Sequence, residues 1–210
     1  VAESDEALME KYFEGELSEE DFRAGLKKAV ANDDVYPIFC TSAVTNVGPK
    51  RLLEVIINFA PAAAEITPRK YKDGSDCIVD SDKPLSAIIF KTLAEMHVGE
   101  LSYIKVLSGR LKTGADVMNT STENPERIGQ IFVLNGKNKA NVDALEAGDV
   151  GALVKLKETH TGDTLAEKGS RLVFPKIEFP EASIRSAIRP KAKGDEDKIS
   201  QGLHTLHEED

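Results

Sequence analysis

Four basic residues beside glycine turns, Arg110, Lys112, Lys137 and Lys139, are candidates for touching phosphate in this 210-residue chain. A guanidinium and three ammonium groups suit a nucleic-acid backbone, although ordinary solvated turns carry the same residues. A second pattern is Thr41-Ser42-Ala43 with Asn46 and Gly48. Small residues directly after an apolar run let backbone amides approach a flat ligand, and a plain loop has the same composition. The catalytic inventory is thin. The one Gly-Lys pair, Gly136-Lys137, has Ile131 where the first glycine of G-x-x-x-x-G-K-[ST] belongs and Asn138 where Ser or Thr belongs. Phosphoryl transfer therefore has no phosphate loop to act with. His204 and His207 stand at i, i+3 beside Glu208. That spacing lacks the i, i+4 geometry of H-E-x-x-H and reads as a solvated helix face. His97 and His160 sit in loops and carry no role, and Cys40 and Cys77 form no metal-binding spacing and read as reduced cytosolic thiols.

The elements that must position these residues change character along the chain. Ser4 can cap a first helix with Leu8 and Tyr12 at i, i+4, and Ser18-Glu19-Glu20-Asp21 opens a second with Phe22, Leu26 and Val30. Gly15 separates them. Tyr36-Pro37-Ile38-Phe39-Cys40 predicts a short buried strand with Pro37 at its start. The polar turn from Thr41 to Gly48 then leads into a helix with Leu52, Ile56 and Phe59 on one face, stopped by Pro61. One strand-turn-helix unit is too little for a doubly wound sheet, so this segment reads as the tail of a larger domain. Residues 65–83 are a polar connector or arm containing Pro68 and Asp73-Gly74.

Residues 84–180 read as all-β. Leu85 to Leu93 and Leu101 to Leu107 are strand candidates, and Ser108-Gly109 predicts a tight hairpin into Arg110-Leu111-Lys112. Ala115 to Asn119 follows Thr113-Gly114. Ile128 to Leu134 is apolar on both faces, ends at Asn135-Gly136, and precedes a β-connection at Asn138-Lys139-Ala140-Asn141. Val150 to Leu156 is apolar and β-branched enough for a buried strand. Short strands with glycine turns and no strand marked as an edge argue for a closed antiparallel barrel. After Pro180, Ala182, Ile184, Ser186 and Ile188 alternate as a strand closed by Pro190. Asp195-Glu196-Asp197 then opens a helix with Ile199, Leu203 and Leu206, whose apolar face has no evident partner.

Composition narrows the class. The chain is 40% hydrophobic and 30% charged, and no run approaches the ~18 apolar residues of a membrane span. The N-terminus is acidic, unlike a signal peptide. The net charge of −9 is concentrated at the start, with 11 acids against 4 bases in residues 1–34 but 12 against 13 in residues 83–180. A domain gripping nucleic acid unaided needs a net basic face, so RNA contacts here belong within a larger assembly.

Two runs tie these features together: Leu145-Glu146-Ala147-Gly148-Asp149, and Lys157-Glu158-Thr159-His160-Thr161-Gly162-Asp163-Thr164-Leu165. With Val98-Gly99 and Val106-Leu107-Ser108-Gly109-Arg110-Leu111, they resemble in order the second domain of the translational GTPases, elongation factor G in particular. Glu10 to Ser18 and the Leu52 to Pro61 helix are similar to the end of that family's G domain and its subdomain. Lys198-Ile199-Ser200-Gln201-Gly202-Leu203 with Glu208-Glu209-Asp210 resembles the opening of domain III.

The resemblance implies a mainly β fold, an antiparallel translation-factor β-barrel flanked by an N-terminal α/β remnant and a C-terminal strand-helix remnant. It divides the chain into the end of the G domain (1–64), a connector (65–83), domain II (84–180) and the start of domain III (181–210). It implies that Ser42 and Ala43 form part of a guanine loop, and that Arg110, Lys112, Lys137 and Lys139 are candidates for contacting small-subunit ribosomal RNA. The intact protein would use GTP and Mg²⁺ to move tRNA and mRNA in the cytoplasm. The expected partners of this piece are the ribosome, the rest of the G domain and domains III to V, with no membrane, and the expected state is a monomer without cofactor or GTPase activity of its own. A related factor for ribosome protection or peptide release, or a non-translocating paralogue, is the alternative, because Glu95-Met96-His97 departs from the family's usual wording. A free-standing barrel binding nucleic acid or protein is a third reading.

Overall fold

The computed structural model describes residues 6–95 and 99–209 and divides into two compact units, Val1–Thr67 and Pro68–Asp210. The predicted cap Ser4 and the loop residues His97 and Val98 lie outside the described residues, as does Asp210.

The first unit holds helices α1 (Glu6–Glu14), α2 (Glu19–Ala31) and α3 (Pro49–Phe59). Ser18 caps α2 reciprocally: its Oγ accepts from Asp21 N at 3.1 Å, and the Asp21 carboxylate accepts from Ser18 N at 3.2 Å. The Lys11 ammonium, 2.7 Å away, and these Ser18 bonds hold the Asp21 carboxyl down to about 2. Gly15, at φ 74°, breaks α1 from α2 as the sequence suggests. Packing does not match the helix pattern. Among the described residues of this unit only Gly25 and Ala29 are buried, and Ile57 on α3 is 80% exposed. The strand expected over Tyr36–Cys40 is absent: those residues take no regular structure, and Ile38 is 91% exposed. A strand is stabilised by ladder bonds to a neighbour, and no described residue of this unit supplies one.

The second unit is the β body. Its strands are β1 (Arg69–Lys70), β2 (Asp76–Cys77), β3 (Ser86–Glu95), β4 (Gly99–Ser108), β5 (Arg110–Lys112), β6 (Asp116–Asn119), β7 (Asn124–Arg127), β8 (Ile131–Asn135), β9 (Asn138–Val142), β10 (Ala144–Glu146), β11 (Val150–Val154) and β12 (Thr164–Ala166), followed by helix α4 (Glu196–Glu209). Eight strands pair antiparallel in the order β7-β6-β12-β3-β4-β11-β8-β9, and β5 and β10 form a separate ribbon. Leu111 on the ribbon and Leu145 opposite it share one interior with Ile89, Ile104, Val106, Ile128, Ile131 and Leu165. The barrel wall is therefore composite, a curled ladder with a ribbon contributing to the same core. β7 and β9 end the eight-stranded ladder, and Pro125 sits on the end strand β7, where a missing donor costs least.

The Ser108-Gly109 hairpin is also corrected. β5 pairs with β10 rather than folding back on β4. Gly109, at φ 72°, steers the chain out of the ladder, and its N–H donates to Asp80 O at 2.8 Å. A Cβ there would lie 2.6 Å from the Leu85 backbone, so no other residue fits this corner. The β8–β9 hairpin does turn tightly, with Gly136 at φ 58° between the paired Asn135 and Asn138.

Residues 68–83 are built into this unit. β1 and β2 pair, Lys72 N donates to Val173 O at 2.8 Å, and Tyr71 and Cys77 are buried with Ile88, Leu107 and Phe174. Tyr71 stacks on Phe174 at 4.7 Å between centroids. Burial, reinforced by the Cys77 side chain, pushes the Tyr71 hydroxyl up to about 12, and burial raises the Cys77 thiol. The strand expected at 182–188 is likewise unformed, with Ile184 84% exposed and no pairing partner among the described residues. Helix α4 does form, and the Glu209 carboxylate accepts from Ala94 N at 2.6 Å at the end of β3. Leu203 and Leu206 on it remain about half exposed.

Candidate functional site

The two Gly-Asp runs fold into matching turns on the two central strands. At the first, Gly148 N donates to Val106 O at 2.8 Å, and Asp149 O accepts from Val106 N at 3.0 Å. At the second, Gly162 N donates to Ile89 O at 2.7 Å, and Asp163 O accepts from Ile89 N at 2.9 Å. Each aspartate also turns its carboxylate back on the residue three before it, accepting from Glu146 N and from His160 N, both at 2.9 Å. β4 and β3 pair with each other, and β11 and β12 leave the turns to pair on their outer sides. The repeated wording in the sequence is thus a local twofold repeat in the barrel. The glycine supplies positive φ and the aspartate supplies the acceptor.

Different side chains hold each turn. Ser81 Oγ accepts from Ala147 N at 3.2 Å and donates to Glu146 at 3.3 Å, tying the first turn to the segment before β3. The second turn rests on buried polar groups. Asn119, fully buried, donates to Asp163 Oδ2 at 2.9 Å, to Thr159 Oγ1 at 3.2 Å and to Glu158 O at 3.2 Å. Glu126, only 4% exposed, accepts at one oxygen from Lys157 N (3.0 Å), Glu158 N (2.8 Å) and Thr159 Oγ1 (2.9 Å). Such saturation is what allows a carboxylate inside a β protein. Neither Asn119 nor Glu126 stands out in the sequence, because each is a single polar residue in a short strand.

The expected phosphate-contacting residues lie apart, two on the β5–β10 ribbon and two on the β8–β9 hairpin. Arg110 and Lys112 point outward from β5 on either side of buried Leu111. Arg110 is already engaged, 3.4 Å from both Asp82 and Glu146. Lys137 lies exposed in the β8–β9 turn, and Lys139 on β9 is half-buried. The Ser42-Ala43 loop closes on itself: Ser42 N donates to Val47 O at 2.9 Å, and Val47 N returns the bond at 3.1 Å. Thr45 N donates to Ser42 Oγ at 3.3 Å, leaving Ala43 and Val44 exposed at the loop surface.

A cleft that the sequence did not single out lies beside the second turn. It encloses about 230 Å³ and is lined by β6, β7 and the residues after β11 and β12. Arg127, Lys155, Lys157 and Lys168 line it together with Asp116 and Glu126. Lys155 and Lys157 share one segment, and the curl of the sheet brings Lys168 and Arg127 to them.

Residues 84–168 match the family model described as elongation factor G domain 2, a span that takes in β3 to β12, with both Gly-Asp turns and the Gly109 corner. The barrel belongs to the elongation factor G family. A protein of Thermus thermophilus known by crystal structure is similar over the whole chain, with 28% identity and a TM-score of 0.78. This chain spans 30% of that protein's length. The elongation factor G domain 2 explains why so much of the conspicuous sequence is structural. The Gly-Asp motifs close barrel turns, and their aspartates are spent on backbone donors. No helix among the described residues is long and apolar enough to cross a membrane.

Proposed function

We propose that this chain is part of a ribosomal translocation factor, a cytoplasmic protein that uses GTP hydrolysis to move tRNA and mRNA during elongation. The family match of the barrel carries the reading. Residues 1–64 would be the end of the G domain, 65–83 a connector, 84–180 domain II and 181–210 the start of domain III. Exposure supports this division: Ile38, Val44 and Ile57 in the first unit and Ile184 near the C-terminus stand in solvent at 80% or more. Apolar surface of that kind is normally covered by a neighbouring element. The rest of the G domain and domains III to V would cover it.

The residues present fit only a fraction of a nucleotide site. Exposed Ala43 and the closed loop around Ser42 suit the edge of a guanine base. The 210-residue sequence has no phosphate loop, so the GTP phosphates and Mg²⁺ would be held by other parts of the protein. Hydrolysis is the chemistry GTP supplies to the whole factor, and the role of this chain is scaffold and ribosome contact. Arg110, Lys112, Lys137 and Lys139 would face small-subunit ribosomal RNA, with Arg110 exchanging its two carboxylate partners for phosphate. The chain itself would be monomeric.

Cosedimentation of the chain with isolated small ribosomal subunits tests the proposal. Salt-sensitive binding that weakens in a Lys112→Gln, Lys137→Gln variant is expected. Absence of binding at tens of micromolar protein in low salt would overturn the ribosome-contact role. The unusual wording Glu95-Met96-His97 favours a second reading, a related translational GTPase acting in ribosome protection or peptide release or as a non-translocating paralogue. Translocation assays on the full-length protein separate the two.

A further inference from the structure

We propose that the cleft beside the second Gly-Asp turn is a binding site for a phosphate group, with Lys155, Lys157 and Lys168 as its cationic ligands. Three observations converge on it. Arg127, Lys155, Lys157 and Lys168 come from three chain segments to line one depression, so its charge is assembled by tertiary folding. The acids in the lining are already spoken for. Asp116 pairs with Arg127 at 3.5 Å, and one oxygen of Glu126 takes three donors from the turn. The three lysines are exposed, and among the described residues none of them is held in an ion pair. The cleft therefore keeps uncompensated positive charge.

The backbone is also shaped for it. Lys155 adopts φ 61°, a left-handed conformation that long side chains rarely take. Glycine would adopt it freely, so a lysine here keeps a strained backbone together with an ammonium group. Glu126 anchors the backbone amides of Lys157 and Glu158, which fixes the segment carrying two of the lysines. At about 230 Å³ the cleft is smaller than the ~300–1,000 Å³ of sites for drug-sized molecules and suits one phosphate group with its water.

A polynucleotide backbone and a small phosphate compound present the same chemistry, and two probes distinguish them. The full 210-residue chain, labelled for amide NMR, is titrated with inorganic phosphate and with an oligouridylate of about 12 nucleotides. Shifts confined to the amides of residues 116–118, 126–127, 155–158 and 168 are expected with at least one probe. Phosphate alone shifting them assigns a small anion, and the oligonucleotide shifting them at lower concentration assigns a nucleic-acid backbone. Replacing Lys155, Lys157 and Lys168 by Gln is expected to weaken the effective probe at least about tenfold. With the oligonucleotide it should also flatten the salt dependence by about 2 in log–log slope, following roughly 0.7 per phosphate contact. An equal charge change at Lys72, Lys191 and Lys193 is expected to alter affinity less than about threefold. Shifts scattered over the surface, no shift with either probe, or a triple variant that binds as well as the parent would overturn the site. The phosphate arm needs no ribosome, so its result stands apart from the cosedimentation result.

Discussion

Glu126 offers the sharpest test of how this barrel is held together. Replacing it with alanine removes one oxygen that accepts from Lys157 N, Glu158 N and Thr159 Oγ1 at 2.8–3.0 Å. Hydrogen bonds to a charged group contribute about 1.5–3 kcal/mol each, which sets an upper bound well above the expected net effect. Lys157 and Glu158 are exposed, and water can replace part of what their amides lose. Thr159 is 4% exposed, and water does not reach it without opening the turn. A net loss of about 3 kcal/mol follows for Glu126→Ala. Glu126→Gln keeps an oxygen acceptor of the same shape without the charge. Neutral bonds are roughly half as strong, so about 1 kcal/mol is expected. Urea unfolding followed by circular dichroism measures both. With a slope of ~1–3 kcal/mol per molar, the midpoint should fall by ~1–3 M for Ala and by ~0.3–1 M for Gln. An alanine variant within about 0.5 kcal/mol of the parent, the scatter of surface substitutions, would refute the anchoring role. Equal effects of Ala and Gln would show that geometry of the oxygen is irrelevant and sink the argument in a different way.

The twofold repeat makes a comparative prediction: Asp163→Ala, which also strips Asn119 of a partner, should cost more than Asp149→Ala, about 2–3 against about 1 kcal/mol in the same assay. Gly109→Ala should cost at least ~3 kcal/mol or prevent folding, combining a left-handed alanine with overlap against the Leu85 backbone, and limited proteolysis would detect the loosened corner. At alkaline pH, Tyr71 keeps its proton in the fold up to about 12 while the unfolded chain loses it near about 10. Its contribution is complete below about 10 and lost as pH rises toward 12, and a Tyr71→Phe variant should show a flatter melting-temperature profile across that window. Residues 68–180 should melt cooperatively when expressed alone, whereas 84–180 should melt at lower temperature because it exposes Phe174 and Leu107, which Tyr71 and Cys77 cover.

What could be read in advance depended on whether a signal was local. The Ser18 capping box needs only neighbouring residues, and it forms as written. Glycine turns at 15 and 136 and the start of α3 after Gly48 are equally local. Strand identity was legible where alternation and neighbours agreed, as in β3, β4 and β11. It failed at Tyr36–Cys40 and at 182–188, where the pattern is right and the partner strand is missing from the described fold. It failed again at Arg110–Lys112, since pairing with β10 rather than β4 is a decision made far along the chain, at Ala144–Glu146. The candidate site divides the same way. Ser42 and Ala43 sit in a loop whose closure is local. Arg110 was visible as a basic residue, but its ion pairs with Asp82 and Glu146 appear only once the first turn and the 80–83 segment meet beside β5.

Local sequence determined the Ser18 cap, the glycine turns at 15 and 136 and the helices, and the two Gly-Asp runs marked the elongation factor G kind of barrel. These depend on backbone preferences and short-range bonds, which travel with the residues that encode them. Tertiary structure alone decided what each aspartate does, which strands share a core, and where charge accumulates. The Asp149 and Asp163 carbonyls accept from Val106 N of β4 and Ile89 N of β3, and the Asp163 carboxylate accepts from Asn119, bonds that exist only once the barrel has formed. Arg127, Lys155, Lys157 and Lys168 came to line one cleft because the sheet curls and brings three segments together. Electrostatic and packing energies act through space, and the distances that set them do not exist until the chain has folded.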